Sequence, residues 1–319
     1  MIGQKEVQAA RARIVEHIHH TPLIYSRSLS VMSGNEVYLK CENLQKTGSF
    51  KIRGALNAVL QLNAEERGRG VVTGSSGNHG QALAYAARLA GVRAVVVLPE
   101  NVSPAKREAC LAYGSEIVFC GQTAEARLAH AKHLAMTQGL TMVHSFDDEY
   151  VIAGQGTVAL EILADLPAVD YIVAPVGGGG LLSGVAVAAK TSGHAVKVIG
   201  VEPAVSPRLR YSWQRGQLSE LAEDAWQPSV ADGLRARRPG IFTFSLTQQY
   251  VDELVTVAED EIVAALRLLL ERTKLLAEPS GAVSVAFALQ PALAIRGKKV
   301  VCLVSGGNIE LAQLARLLA

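Results

Sequence analysis

The chain has 319 residues, of which 49% are hydrophobic, and its formal net charge at pH 7 is +2. This length allows one large or two moderate domains, and the near-neutral charge gives no indication of a nucleic-acid partner. No apolar run reaches the roughly 18 residues of a membrane span. The four cysteines are scattered without a CxxC pair, which argues against a disulfide framework or a zinc site. We therefore expect a cytoplasmic protein.

A helix, a strand and a second helix are predicted near the N-terminus. The first helix covers residues 5–18 and ends before Pro22, because the residue preceding a proline is disfavoured in helical conformation. A strand follows at 36–41, and the second helix begins after Ser49, a candidate N-cap residue. Lys51 would then lie in the first turn of this second helix.

Beyond residue 70, short β-branched runs alternate with longer helical patterns. Residues 204–245 are the exception, and we expect them to be loop-rich with one or two short helices. Strands that alternate with helices predict parallel sheets with helices on their faces. The predicted strands are 71–73, 94–98, 116–120, 141–144, 171–176, 197–201, 254–257 and 299–304.

Lys51 is a candidate reactive lysine. An ammonium group in the first turn of a helix lies near the positive end of the helix dipole, which lowers its pKa. A neutral lysine can form a Schiff base with a carbonyl compound. By itself, this stretch fits an ordinary surface lysine better, so the interpretation depends on three loops elsewhere in the chain.

These three loops of small residues each follow a predicted strand and precede a predicted helix. They are SSGNHG at 75–80, GGGG at 177–180 and SGGN at 305–308. Ligands of open α/β sheets bind outside the carboxyl ends of the strands, and free amides at helix N-termini attract anions. The glycines would allow the backbone to wrap around a phosphate, the first loop suits a carboxylate, and Ser305 suits a ring nitrogen. Without a ligand, the same loops would be a flexible turn and two helix caps.

Two anion sites and a reactive lysine together suggest pyridoxal 5′-phosphate acting on an amino acid. Two alternatives from other classes remain open. The first is a dinucleotide-binding oxidoreductase, whose sequence fingerprint resembles Gly178-Gly179-Gly180 followed by Glu202 about 20 residues later. However, Ser183 or Leu182 stands where this fingerprint requires its third glycine. The second alternative is a non-catalytic amino-acid binder on the same scaffold.

Several motifs resemble those of the serine/threonine dehydratase and serine racemase family, whose members are fold-type II pyridoxal-phosphate enzymes. His79 and Lys51-Ile52-Arg53 favour the dehydratase branch over the related cysteine synthases. The resemblance spans nearly the whole chain, in the family's order. Besides the three loops, it rests on SFKIRGA at 49–55, IAGQGT at 152–157, ADG at 231–233 and EPSGA at 278–282.

The resemblance implies a role for each candidate site residue. Lys51 would hold the cofactor as a Schiff base and then remove the substrate α-proton, and Ser76 would reprotonate the opposite face. The other cofactor-binding residues implied are Phe50, Asn78, Gly177, Gly178, Gly179, Gly180, Leu181 and Ser305. The substrate-binding residues implied are Ser75, Ser76, Gly77 and His79.

The fold implied is α/β and similar to the tryptophan synthase β chain, with two open twisted domains, the smaller inserted in the larger. The large domain would comprise residues 1–68 and 148–319 and bind the cofactor. Residues 69–147 would form a small mobile domain that closes on the substrate. A homodimer is expected by analogy, with neither nucleic acid nor membrane as a partner.

The activity implied is a dehydratase, or ammonia-lyase, that converts a β-hydroxy amino acid such as L-threonine or L-serine to a 2-oxo acid and ammonia. Serine or another amino-acid racemase is the alternative on the same scaffold. The choice among serine, threonine, 3-hydroxyaspartate and phenylserine stays open. The Arg-rich stretch 235–238 is expected at the surface, or alternatively facing an acidic substrate or a subunit partner.

One departure from the family concerns a metal ion. Members with a divalent-cation site have an acidic residue shortly after the glutamate that corresponds to Glu202. Here the chain continues to Ser206-Pro207-Arg208, and an arginine is a poor occupant of a cation site. No bound metal is therefore expected.

Overall fold

The computed structural model describes residues 2–75, 77–222, 225–290 and 295–319. Its strands are β1 (Leu23–Tyr25), β2 (Glu36–Cys41), β3 (Val71–Gly74), β4 (Ala94–Leu98), β5 (Glu116–Phe119), β6 (Thr141–Met142), β7 (Tyr171–Pro175), β8 (Lys197–Pro203), β9 (Glu253–Val257) and β10 (Lys299–Val304). Its α-helices are α1 (Gln4–Ile14), α2 (Arg27–Ser33), α3 (Lys51–Leu60), α4 (Ala64–Arg69), α5 (Asn78–Ala90), α6 (Pro104–Ala112), α7 (Ala124–Gln138), α8 (Glu149–Asp165), α9 (Gly180–Lys190), α10 (Arg208–Gln214), α11 (Ile241–Tyr250), α12 (Glu259–Leu268), α13 (Pro279–Ala288) and α14 (Leu311–Leu318).

The larger sheet has six strands in the order β1-β2-β10-β7-β8-β9. Only β1 runs antiparallel to its neighbour, and the other pairs are parallel. Helices α8 and α9 pack against one face, and α12 and α13 pack against the other. The strands between these layers are buried on both faces, which explains why they read as nearly continuous apolar runs.

The smaller sheet has four parallel strands in the order β5-β4-β3-β6. All four lie between residues 71 and 142, whereas the larger sheet takes strands from before and after this segment. Helix α3 packs against both α5 and α8, so it lies between the layers that cover the two sheets. This arrangement agrees with an inserted smaller unit, while the domain boundaries at 68/69 and 147/148 stay predictions.

The element boundaries differ from the predicted ones in a few places. The first helix ends at Ile14 and continues as a short 3-10 turn, and strand β6 is two residues long. Elements β1, α2 and α4 were not predicted, because three to seven residues are too few to show a clear period. The stretch 204–245 contains α10 and the start of α11, as expected. No helix in the described ranges is both long and apolar enough to cross a membrane.

Helix α8 crosses its neighbours at glycines. A Cβ atom built on Gly154 would lie 2.6 Å from the Cα atom of Gly54 in α3. A Cβ atom built on Gly184 in α9 would lie 2.6 Å from the backbone nitrogen of Gly156. Since these contacts are backbone to backbone, small side-chain movements cannot relieve them, and the glycines of IAGQGT set how closely the three helices pack.

Substitution of Gly154 by alanine should therefore destabilise the protein by about 1–3 kcal/mol, the usual cost of overpacking. The free energy of unfolding from urea titration is the measurement. The matched control is Gly68→Ala in the exposed helix α4, where an added Cβ atom meets no other atom within 4 Å. This control should be neutral or stabilise by up to about 1 kcal/mol. Equal stabilities of the two variants would contradict this account of the helix crossings.

Candidate active site

The helix that carries Lys51 begins at Lys51 itself. The N-cap residue is Phe50, which provides no side-chain hydrogen bond to the helix. The prediction that Ser49 is the cap is wrong, because Ser49 is extended and forms an isolated β-bridge with Gly306. The backbone nitrogen of Phe50 also donates to the carbonyl of Ser305 at 3.1 Å. The start of α3 is thus held by the loop after β10 rather than by a side-chain cap.

A buried ion cluster holds α3 two residues beyond Lys51. The guanidinium of Arg53 donates to both oxygens of Glu42 at 2.8 Å and to the oxygens of Glu161 at 2.6 and 2.9 Å. Lys40 adds a second cation, with its Nζ atom 2.7 Å from Glu161. All four side chains are buried, and the two positive and two negative charges balance. The cluster ties the first turn of α3 to β2 and to α8.

Lys51 opens onto a cavity of about 270 Å³ at the carboxyl ends of β3, β7 and β10. The three small-residue loops, which follow these strands, all contribute to its wall. Among the predicted site residues of the described chain, the cavity is lined by Phe50, Lys51, Ser75, Gly77, Asn78, His79, Gly177, Gly178, Gly179, Gly180, Leu181 and Ser305. The remaining one, Ser76, lies outside the described residues.

The amine of Lys51 lies in a partly buried environment beside the ring of Phe50. Its Nζ atom donates to the carbonyl of Ser145 at 2.7 Å. Burial lowers the pKa of Lys51 to about 8, while the carboxylate of Glu278 opposes this shift. The direction agrees with the prediction, but burial is the main cause rather than the helix dipole. The neutral fraction of Lys51 near physiological pH is therefore larger than that of a free lysine.

The glycine loop approaches neighbouring segments too closely for side chains. Gly179 has a φ angle of +95° and precedes α9, whose first-turn amides have no partners within the helix. A Cβ atom on Gly180 would lie 2.9 Å from the backbone of Phe146. The carbonyl of Gly178 accepts a hydrogen bond from Thr243 at 2.8 Å, which holds the loop from behind. A fixed loop with free amides at a helix N-terminus suits a phosphate group.

Asn78, at the first position of α5, is held in a fixed orientation. Its Nδ2 atom donates to Glu278 at 2.7 Å, and its Oδ1 atom accepts from Asn308 at 2.8 Å. Asn308 in turn donates to the carbonyl of Thr47 at 2.8 Å. This chain of hydrogen bonds joins the loop after β3 to two segments of the large-sheet layers and sets which way the amide of Asn78 faces.

His79 and Ser305 are both buried in the wall of the predicted site. The Nε2 atom of His79 lies 3.1 Å from the carbonyl of Val143, and its Nδ1 atom has no hydrogen-bond partner among the described residues. Burial lowers the pKa of His79 to about 3, so the ring is neutral. The hydroxyl of Ser305 donates weakly to the carbonyl of Ser280 at 3.4 Å, which leaves its oxygen available to another partner.

Four charged residues of the cavity wall were missed by sequence reasoning: Lys106, Arg127, Asp232 and Glu278. Lys106 and Asp232 form an ion pair at 3.0 Å between α6 and the turn that follows Ala231. Burial raises the pKa of Glu278 to about 8. The motifs ADG and EPSGA contain two of these residues and were the available signal, whereas nothing local marks the other two.

The surroundings of Glu202 differ from a metal site. Glu202 is buried and accepts hydrogen bonds from the backbone nitrogens of Leu209 and Arg210 at 3.0 and 2.7 Å. The buried guanidinium of Arg208 lies 3.8 Å away and also donates to the carbonyl of Leu234. Within the described ranges, no group of three or more His, Cys, Asp or Glu side chains could hold a metal ion. The expected lack of a bound metal stays a prediction.

Comparison with known proteins agrees with this geometry. The family model described as "Pyridoxal-phosphate dependent enzyme" matches residues 14–306. An L-threonine ammonia-lyase of Thermotoga maritima is 44% identical over 318 residues, which are 100% of this chain and 78% of the relative. The crystal structure of serine racemase from Dictyostelium discoideum superposes with a TM-score of 0.91 at 40% identity, covering 97% of this chain and 99% of the other. The crystal structure of a threonine deaminase from T.th. gives a TM-score of 0.90 at 41% identity, with the same coverage.

The residues present fit the cofactor of this family. One cavity contains a partner for each part of the cofactor. A lysine of lowered pKa suits the aldehyde, and a glycine loop at a helix N-terminus suits the phosphate. An oriented amide and a buried serine hydroxyl suit the pyridine ring. The chain belongs to the pyridoxal-phosphate dependent enzymes of fold type II.

Proposed function

We propose that this enzyme is an ammonia-lyase that converts a β-hydroxy amino acid, such as L-threonine or L-serine, to a 2-oxo acid and ammonia. The observation that carries the proposal is that Lys51 shares one cavity with a phosphate-type glycine loop and a carboxylate-type loop. Relatives named L-threonine ammonia-lyase and threonine deaminase support the same reaction class.

Lys51 is the residue that we assign to binding the cofactor and to accepting the α-proton of the substrate. When bound, pyridoxal phosphate supplies an electron-withdrawing ring that stabilises negative charge at the α-carbon. The depressed pKa raises the fraction of neutral amine, the form that both roles require. We assign Gly177, Gly178, Gly179, Gly180 and Leu181 to the phosphate, and Phe50 and Asn78 to the ring.

Ser305 is the residue that we assign to the pyridine nitrogen. A hydroxyl group is a far weaker acid than a carboxylic acid, so it cannot keep that nitrogen protonated. An unprotonated ring withdraws negative charge less completely from the α-carbon. This favours rapid loss of a β-leaving group over reactions that need a longer-lived carbanion. This choice of residue supports elimination over transamination.

The loop at the start of α5 is assigned to the substrate carboxylate. Ser75, Gly77 and His79 line the cavity there, and Ser76 completes the sequence of the loop. Because the imidazole of His79 is neutral and bonded to a backbone carbonyl, its side chain adds no positive charge. The carboxylate would instead be bound by hydroxyl groups and by first-turn amides of α5.

Racemisation is the second candidate, since a serine racemase of Dictyostelium discoideum is 40% identical over 98% of this chain. It requires a proton donor on the face opposite Lys51, a role that we assign to Ser76. Closure of residues 69–147 on the substrate, a homodimer and a cytoplasmic location also remain proposals, as does the lack of a nucleic-acid or membrane partner.

Replacement of Lys51 by alanine should abolish the visible absorption of the bound cofactor. It should also lower kcat for elimination by at least about 10²–10⁴-fold, the usual contribution of a positioned base. Absorption spectra and 2-oxo acid release are the measurements, with Lys5→Ala on the exposed face of α1 as the control. A Lys51→Ala variant that keeps both properties would remove the basis of the proposed function.

The pH dependence of cofactor capture tests the environment of Lys51. Covalent binding of pyridoxal phosphate by the cofactor-free protein should accelerate with pH and level off above about 8, because only the neutral amine reacts. Stopped-flow absorbance measures the rate. In Glu278→Gln, the midpoint should move to lower pH, since the Glu278 carboxylate raises the pKa of Lys51. A midpoint near that of a free lysine would show that burial does not act as described.

A further inference from the structure

Arg208, the first residue of α10, is a buried arginine that contacts the wall of the active-site cavity. Its side chain is 1% exposed, and its Nη2 atom donates to the carbonyl of Leu234. Leu234 lines the cavity and ends the short turn Asp232–Leu234, called the 232–234 turn below. Arg208 itself does not line the cavity. Any influence of Arg208 on a bound ligand must therefore pass through this turn.

The 232–234 turn packs against the glycine loop that we assign to the cofactor phosphate. A Cβ atom built on Gly177 would lie 3.2 Å from the carbonyl oxygen of Gly233 and 3.3 Å from the Cα atom of Leu234. Because main-chain atoms meet on both sides, a shift of the turn would displace the glycine loop directly. The contact between Arg208 and the Leu234 carbonyl thus bears on how the loop is presented to a phosphate.

Glu202 is the carboxylate that faces Arg208, with its Oε1 atom 3.8 Å from the Nη2 atom. Both side chains are buried. Burial raises the pKa of Glu202, and the charge of Arg208 opposes this rise. Glu202 also accepts the backbone N–H groups of Leu209 and Arg210 at 3.0 and 2.7 Å, so it holds the first turn of α10. A buried carboxylate needs a positive charge beside it, and here a side chain of the same chain supplies that charge.

The residues around Glu202 do not fit a bound divalent cation. Both oxygens of Glu202 already accept backbone N–H groups, and a guanidinium lies beside them. Family members with a cation site have an acidic residue shortly after this glutamate, whereas this chain has Arg208 there. The Nε and Nη1 atoms of Arg208 are buried without hydrogen-bond partners in the described ranges. The Leu234 carbonyl is therefore the acceptor to which this guanidinium is committed.

We propose that Arg208 is a positioning residue that takes the place of a divalent cation in this chain. Its guanidinium joins the Glu202 carboxylate to the Leu234 carbonyl and thereby holds the 232–234 turn against the glycine loop. Because this positive charge is part of the chain, it cannot dissociate, and the enzyme binds its cofactor without any divalent cation. The inference goes beyond the proposed function, since it concerns the cofactor site and holds for any substrate.

The first test measures the affinity for pyridoxal phosphate in Arg208→Met, which keeps the length of the side chain but removes its charge and donors. Loss of one charged hydrogen bond should weaken cofactor binding about 10- to 100-fold. Arg208→Lys should recover part of this loss, because it restores the charge without the planar donors. Titration of the cofactor-free protein, followed by absorbance well below the Tm, gives the dissociation constants.

Arg210→Met is the matched control for this titration. Arg210 lies two residues further along α10 and also donates to a backbone carbonyl, that of Leu254 at 3.1 Å, but it does not line the cavity. Its replacement should leave cofactor affinity unchanged. A lower Tm of Arg208→Met with unchanged cofactor affinity would mean that Arg208 only stabilises the fold, and it would overturn the positioning role.

The second test exchanges the tethered charge for a free one. Arg208→Asp places a second carboxylate near Glu202 and the Leu234 carbonyl, and such a set of oxygens suits Ca²⁺. Without added metal, this variant should lose at least as much cofactor affinity as Arg208→Met, because two like charges are buried together. Addition of CaCl₂ should recover at least about 10-fold of the lost affinity, the effect of one restored charged contact. Arg210→Asp, the control, should not respond to CaCl₂.

The wild type supplies the remaining outcome. Dialysis of the cofactor-loaded enzyme against EDTA, and later addition of CaCl₂ or MgCl₂, should change neither its Tm nor its cofactor affinity. Stabilisation of the wild type by either ion would overturn the proposal, and so would an Arg208→Asp variant that does not respond to CaCl₂. If Arg208→Met does not fold, Arg208→Lys and Arg208→Asp in CaCl₂ decide the question. None of these titrations requires turnover, so a failure of the proposed ammonia-lyase activity would leave their outcome intact.

Discussion

The position of the reactive lysine depends on a buried ion cluster. Arg53 is two residues beyond Lys51 and uses all of its donor groups on Glu42, Glu161 and a threonine hydroxyl, while Lys40 completes the charge balance. Removing one member would leave an uncompensated charge in the interior, which typically costs about 3–5 kcal/mol. The cluster therefore locks α3 to α8 and to the segment at the end of β2, and it holds the helix turn that carries Lys51.

The cavity exists because two sheets point their strand ends toward the same helix. Strands β7 and β10 are neighbours in the larger sheet, and β3 belongs to the smaller one. Helix α3 packs between the layers and places Lys51 where the three small-residue loops that follow these strands meet. The glycines of α8 allow this packing, since they bring helix backbones into direct contact. Function thus depends on close helix packing that begins within one turn of Lys51.

Charged side chains are distributed unevenly over the cavity wall. Near Lys51, burial lowers the pKa of the amine and raises the pKa of Glu278, so it disfavours the charged form of both groups. Elsewhere in the cavity wall, Lys106 is paired with Asp232, whereas the Nε atom of Arg127 has no hydrogen-bond partner in the described chain. Groups whose charged forms are disfavoured by burial suit proton transfer near neutral pH.

Local sequence determined the alternation of strands and helices, the three small-residue loops and the lysine at a helix start, because these features depend on neighbours a few residues apart. From these, together with the motif resemblance, the cofactor class followed. The tertiary structure alone decided that Phe50 precedes the helix without a Ser49 cap, that Arg53 is buried between two carboxylates, and that Lys106, Arg127, Asp232 and Glu278 share one cavity. The last four are spread over more than 170 positions of the chain. Their proximity depends on how distant strands pair and how helices cross, which no local pattern encodes.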